Sequence, residues 1–471
     1  MGSPTSDDVA FLPLTQLVSD FRTGRQSPVE VTRMMLERIG DLDPKINAYR
    51  EASPAVALRA AERSETRWAA GRPQGPLDGV PFSVKDLLMV KGFAFRRGSR
   101  ATSTAPAVES APIVDRVMAS GAVLLGITTM PEFGFSPLTV SPLTGITRNP
   151  WDIRMHAGGS SGGAAASVAA GLGYFGLATD AGGSARIPAS LCGVVGLKPT
   201  GGLIPTYPAS PLEAIACPGV ITRSVGDAAL VLDASNAFDV RDVEAFPTVG
   251  TPFTQDIDAG VHGMRIAFSR DLGYASTVDP GVLALVMGAV RRFESLGATV
   301  EVCDPGFKDP ADIFMTLYRA GLPYALSKLH PHERAEVGQA LRDAAHEGTR
   351  IDLQAYFAAR DARRVLAAQM ARFHQTFDIL ITPTVATPAF AVELSAPTPF
   401  AASGDLLAWT PFTFPFNLTH QPAISVPCGF TQAGLPVGLQ IVGPRFGERT
   451  ILRAALSLEA SLGLQTSRPS L

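Results

Sequence analysis

The chain is short of charge, of cysteine and of histidine, and each shortage removes a class of function. Only 18% of its 471 residues are Asp, Glu, Lys or Arg, against about 25% in ordinary globular proteins. Net charge is −3 and the sequence pI is near 6.2, so nothing electrostatic marks a nucleic-acid partner. The four cysteines, Cys192, Cys217, Cys303 and Cys428, are scattered without a C-x-x-C pair. They read as small core residues in a reducing, cytoplasmic compartment, not as zinc ligands or a disulfide framework. Three of the seven histidines lie between 330 and 346, and none has ligand spacing, so neither a metal nor a cofactor is expected. No apolar run reaches the roughly 18 residues of a membrane span. The start, MGSPTSDDVAFLPLT, lacks the charged and apolar regions of a secretion signal. Its match to the loose lipidation pattern M-G-x-x-x-S is read as incidental.

Glycine (45) and proline (38) are plentiful, and they punctuate apolar runs without forming a low-complexity tract. Residues 11–70 read as helices. SPVEVTRMMLERIGDLDP starts on Ser27-Pro28 and is expected to stop before Pro44. From LDGVPFSVKDLLMV onward, β-branched runs alternate with helical ones: SAPIVDRVMASGA, VLLGITT, the glycine-rich helix start at 158–171, GYFGLAT and GDAALVLDA. MRIAFSRDLG, a helix at 280–297 and ATVEVCD make another such unit. FDILITPT, QPAISVPCGF and LPVGLQIVG are strands too few to fold alone. The expectation is a single α/β domain over 1–471, a central mixed β-sheet covered by helices. It divides into a helical region (1–70), a core (71–235), a variable, largely helical region (236–375) and a C-terminal completion of the sheet (376–471).

Two serines sit in glycine-rich loops, Ser160 in GGSSGG and Ser184 in AGGSAR. GGSSG satisfies the nucleophile-elbow pattern G-x-S-x-G, which needs a strand running directly into the serine and a later Asp and His. NPWDIRMHA precedes it, with an Asn-Pro turn and no strand-like run, so a Ser-His-Asp α/β-hydrolase is a minor alternative. His156 is the nearest possible base and reads instead as a loop histidine. GLGYFG (171–176) satisfies a dinucleotide pattern but leaves a helix and enters a strand, the reverse of the required order.

A serine can also be activated by an unprotonated lysine. Lys85, in GVPFSVKDLL, lies at the end of an apolar strand, where burial lowers an amine's pKa by several units; Asp86 is its candidate ion-pair partner. Lys85 with GGSSGG and TDAGGSAR, the serines 24 positions apart, resembles the amidase signature family. The likeness continues through GVVGLKPTGG and GVITRSVGDAALVLD and resumes in FDILITPT and QPAISVPCGFTQAGLPVGLQIVG; it is weakest at 231–375.

The resemblance implies the roles. Ser184 becomes the acyl-accepting nucleophile. Ser160, after a cis peptide at Gly159, relays protons to Lys85, the general base. The backbone N–H groups of Ala181, Gly182, Gly183 and Ser184 form the oxyanion hole, Ala181 standing where many relatives carry threonine. Asp180 and Arg186 are supports. Ser161 holds Lys85 or caps the following helix. The expected activity is cofactor-free cleavage of a C–N acyl bond through an acyl-enzyme. Three segments are the expected pocket walls: 128–145, 203–219 and the aromatic, proline-rich 388–417. Their apolar character favours an uncharged amide, anilide or carbamate over glutamine, with esters also possible substrates. Alternatives are the glutamine-hydrolysing A subunit of a glutamyl-tRNA amidotransferase and a non-catalytic interaction protein. The expected partner is a small-molecule substrate, with no nucleic acid and no membrane, and the protein a monomer or homodimer.

Overall fold

A computed structural model describes residues 5–471 other than 213–214, 249 and 404–406. The lipidation-like match at residues 1–6 therefore lies mostly outside the described residues. Eleven strands form one sheet: β1 (Tyr49–Ala52), β2 (Pro81–Lys85), β3 (Val123–Thr128), β4 (Phe175–Asp180), β5 (Val195–Lys198), β6 (Cys217–Thr222), β7 (Arg265–Phe268), β8 (Thr299–Val302), β9 (Ile379–Pro383), β10 (Ala423–Phe430) and β11 (Pro436–Val442). Their order is β1-β3-β2-β4-β6-β5-β10-β11-β9-β7-β8. The strands from 379 onward enter this same sheet, so the chain is a single domain with a mixed sheet between helices. No described helix is long and apolar enough to cross a membrane.

The central strands are continuous apolar runs because both faces are covered. β2, β3 and β4 are buried along nearly their whole length, and Phe82 of β2 stacks on Phe175 of β4 with ring centroids 5.0 Å apart. β2 lies parallel to both neighbours, so the C-terminal ends of β2 and β4 open at one sheet edge. That is where α/β sheets place their sites. The alanine-rich helix Gly162–Ala169, every residue buried, lies against this end of the sheet. A Cβ at Gly163 would stand 2.5 Å from the Ala48 carbonyl oxygen, so the close approach requires glycine.

Three local readings differ from the structure. The helix Pro28–Ile46 runs through Pro44 and ends on left-handed Asn47. A proline in the last turn forfeits one backbone bond, and the Asp43 carboxylate secures the exit by accepting from the N–H groups of Ala48 and Tyr49. β1 lies inside the stretch read as wholly helical. And NPWDIRMHA does contain a strand, Asp152–His156, paired with Arg148–Asn149 in a separate two-stranded unit. It stops four residues before Ser160 and does not lead directly into it.

Candidate active site

Lys85 ends β2 with no exposed surface. Its Nζ donates to three hydroxyls: Ser160 Oγ at 2.7 Å, Ser161 Oγ at 2.8 Å and Thr179 Oγ1 at 2.9 Å. Burial without a contacting carboxylate pushes the amine down to about 7, the more distant charge of Asp180 acting in the opposite direction. Asp86 is not its partner. Successive side chains along a strand point to opposite faces, and Asp86 instead accepts from the N–H groups of Gly98 and Arg96 and pairs with Arg50 at 3.4 Å. Thr179, on β4, is the lysine contact that sequence reasoning missed; its one signal was its place two residues beyond the run packed on β2.

Ser160 follows a cis peptide after Gly159. Ser161 makes no side-chain cap to the helix it precedes. Its hydroxyl accepts from Lys85 and donates to the Thr179 carbonyl at 3.2 Å, so it holds the lysine. Its backbone N–H donates to the Ser184 carbonyl at 3.0 Å, which ties the two serine loops together.

The turn after β4 is organised by Asp180. Its carboxylate accepts from the backbone N–H of Gly183 at 2.8 Å and of Ala185 at 3.1 Å, and pairs bidentately with Arg186 (Nε 3.0 Å, Nη2 2.8 Å). Burial alone would raise this carboxyl, but the Arg186 charge, its hydrogen bonds and the charge of Lys198 hold it far below the usual range. Arg186, itself fully buried, goes on to the Thr413 carbonyl, Gln440 and Asn417. The C-terminal part of the chain thus clamps the turn from behind, through a strand residue and the 413–417 segment, and the Thr413 hydroxyl donates to the Gly182 carbonyl at 2.7 Å.

This geometry narrows the expected oxyanion set. Gly183 is buried with φ 122°, and its N–H is taken by Asp180. Ala181, Gly182 and Ser184 are partly exposed, and among the described residues their N–H groups have no acceptor.

Ser160, Thr179, Ala181 and Ser184 line one cavity of about 330 Å³. Half of its wall residues are Leu, Met, Phe, Tyr or Pro, and the walls are drawn chiefly from 87–97, from Phe133 and Gly134, from 205–212 and 216–218, and from the helix Ala311–Ser327 with its cap Lys328. A smaller cavity of about 60 Å³ shares Gly134, Ala181, Ser184 and Tyr318. The 203–219 segment therefore is a wall, and 128–145 contributes a short part. The 388–417 segment, of which 404–406 lie outside the described residues, is not the expected wall: Trp409, Phe412, Phe414 and Phe416 are core residues at most 1% exposed, and among its described residues only Leu407 and Thr410 reach the smaller cavity. Aromatic composition alone does not separate a groove from a core. The walls contributed by 87–97 and by the Ala311–Ser327 helix were not anticipated.

His156 is 1% exposed, bonded through Nε2 to the Leu394 carbonyl at 2.9 Å and set edge-on to Phe390. It packs beneath the 388–394 segment and lines neither cavity. No cluster of three or more His, Cys, Asp or Glu able to hold a metal occurs among the described residues.

Comparison with known proteins agrees with this architecture. An acylamidase of Rhodococcus erythropolis is 36% identical over 462 residues, covering 97% of this chain and 96% of that protein. The A subunit of the glutamyl-tRNA(Gln) amidotransferase of Myxococcus xanthus is 35% identical over 480 residues, covering 95% and 96%. Among solved structures, a bacterial aryl acylamidase of the amidase signature family superposes with a TM-score of 0.90 at 29% identity, covering 98% and 100%. A 6-aminohexanoate cyclic dimer hydrolase with substrate superposes with a TM-score of 0.89 at 29% identity, covering 98% and 99%. The Amidase family model matches residues 30–452, and with that span and these relatives the chain belongs to the amidase signature family and is an amidohydrolase.

Proposed function

We propose that the protein hydrolyses the C–N acyl bond of apolar amides, anilides or carbamates, and the C–O acyl bond of related esters, through an acyl-enzyme on Ser184. The observation that carries this reading is a fully buried lysine near neutral pKa, bonded to Ser160 in the same cavity wall as Ser184. Ser184 Oγ adds to the scissile carbonyl carbon and gives its proton to Ser160 Oγ, which passes its own to the unprotonated Nζ of Lys85. The oxyanion forms against the free N–H groups of Ala181, Gly182 and Ser184, each such donor contributing about 3 kcal/mol in the transition state. On collapse the C–N bond breaks and the proton on Lys85 returns through Ser160 to the departing nitrogen. Water then enters by the same relay, its oxygen adding to the acyl carbon and Ser184 leaving with the proton.

Glutamine fits the cavity less well. Its zwitterionic head needs a carboxylate for the ammonium, and no described wall residue is an acid.

Brief exposure to phenylmethylsulfonyl fluoride, followed by intact mass and peptide mapping, tests the assignment beside a panel of anilide, primary amide, carbamate and glutamine substrates. A sulfonyl adduct on Ser184 with turnover of anilides or carbamates supports it. An adduct on Ser160 overturns the roles, and turnover of glutamine alone overturns the substrate class.

A further inference from the structure

One wall of this cavity carries a cation that the chemistry above does not use. Arg97 lines the cavity with the two serines, yet among the described residues its guanidinium donates no hydrogen bond and makes no ion pair. Its Nε is buried without a partner. The neighbouring cations differ: Arg96 donates to Thr102 and the Ser99 carbonyl, and Arg50 donates to the Ala94 carbonyl and is ion-paired with Asp86. Asp86, the acid whose field reaches Arg97, already accepts from two backbone N–H groups and is ion-paired with Arg50.

The placement is held from both sides. The Arg97 guanidinium lies over the Phe133 ring at 4.5 Å and the Phe95 ring at 5.4 Å. The Arg97 N–H donates to the Asp86 carbonyl at 3.2 Å, and its own carbonyl accepts from Phe133 N–H at 2.8 Å. Both Arg97 and Phe133 stand at φ 52°, a conformation that residues with a Cβ adopt at a cost and that is retained where the surroundings impose it. Phe133 leads into Gly134, whose Cβ position lies 3.5 Å from Ser160 Oγ. The arginine therefore stands on the same wall as the relay serine. The one other charged residue among the described wall residues is also a cation, Lys328, over the Tyr324 ring at 4.5 Å. A partly buried guanidinium without a counter-ion is costly, and a planar fork of donors fits a carboxylate.

We propose that Arg97 is a carboxylate-binding subsite, so that the preferred substrates are amides with an apolar body that also carry a carboxylate. This rests on the amidase reading above and refines it: the scissile group is uncharged, and the anion lies elsewhere on the molecule. The carboxylate accepts from the guanidinium in place of water, and no bond to it is made or broken.

Two matched pairs of substrates test the subsite. In the first, glutaryl 4-nitroanilide is set against 5-oxohexanoyl 4-nitroanilide, in which a methyl ketone replaces the carboxylate on the acyl side. In the second, 4-(butanoylamino)benzoate is set against 4′-(butanoylamino)acetophenone, which varies the leaving side. The wild type is expected to favour the carboxylate member of at least one pair through KM. Arg97→Met is expected to reduce that preference about ten- to hundredfold, the worth of a charge-assisted hydrogen bond, and Arg97→Lys to keep part of it. In the wild type, added salt should raise KM for the carboxylate member more than for its partner, a readout that needs no variant. Equal or reversed preference in both pairs, or a preference that survives Arg97→Met, overturns the subsite. The sulfonyl adduct separates the two failures: labelling of Ser184 without carboxylate preference removes only the Arg97 subsite, and absence of labelling on Ser184 removes the acyl-enzyme reading beneath it.

Discussion

Two lysines are buried in the same sheet, Lys85 at the end of β2 and Lys198 at the end of β5, 0% and 1% exposed. Burial lowers the pKa of both. Their company differs. Lys198 donates to the carbonyl of its neighbour Pro199 at 2.9 Å and sits in the field of Cys217, Arg186, Asp180 and Glu448. Lys85 touches three hydroxyls, and two of them, Ser160 and Thr179, line the cavity shared with Ser184. Burial by itself does not make a base. In the proposed chemistry a lysine becomes one where its proton has a chain of hydroxyls to leave by, and a lysine enclosed among fixed charges is expected to serve the structure.

Removing each amine in turn separates the two lysines. Lys85→Met should lower kcat by about a hundred- to ten-thousandfold, the usual worth of a positioned base, with the variant still folded. Lys198→Met should show its effect in denaturant unfolding and retain turnover per folded molecule. Equal losses of turnover would erase the distinction. Arg186 comes next. Removing the guanidinium leaves Asp180 a buried, unpaired carboxylate, so Arg186→Met should cost about 3–5 kcal/mol of stability, read as a lower denaturation midpoint at unchanged slope. A loss of activity without loss of stability would instead place Arg186 in the chemistry.

Much of this site was legible in the sequence because it is local: two glycine-rich loops and one strand end carry Lys85, Ser160 and Ser184, and β-branched runs mark the strands they hang on. What was hidden depends on facing. Thr179 and Asp86 trade places as partners of Lys85 because strand alternation and the parallel pairing of β2 with β4 decide which side chains meet. β1 is four residues long with one buried position, too short for a period. The Trp409–Phe416 cluster and the Arg97 wall could not be ranked from composition, since a groove and a core take the same apolar residues.

The smallest expected effects concern how the hydroxyls tune Lys85. In the proposed chemistry the amine acts unprotonated, so kcat/KM should rise with pH, about tenfold per unit, up to about 7 and level off above it. The sign follows from burial: it favours the neutral form and brings the base into use well below the ordinary lysine range. Each hydroxyl oxygen accepting from Nζ favours the charged form. Thr179→Val keeps the shape and removes one acceptor, so the protonated amine loses support and its pKa falls further. The acid limb of the profile should then move to lower pH, while the plateau drops by about tenfold or less, the worth of one hydrogen bond. Lys198→Met lacks any hydroxyl contact with Lys85 and should leave the limb in place. A limb that moves upward in Thr179→Val would mean that the threonine donates to the lysine's lone pair and holds it neutral. The contrast between the two lysines would then rest on which group gives the proton instead of on how many accept it.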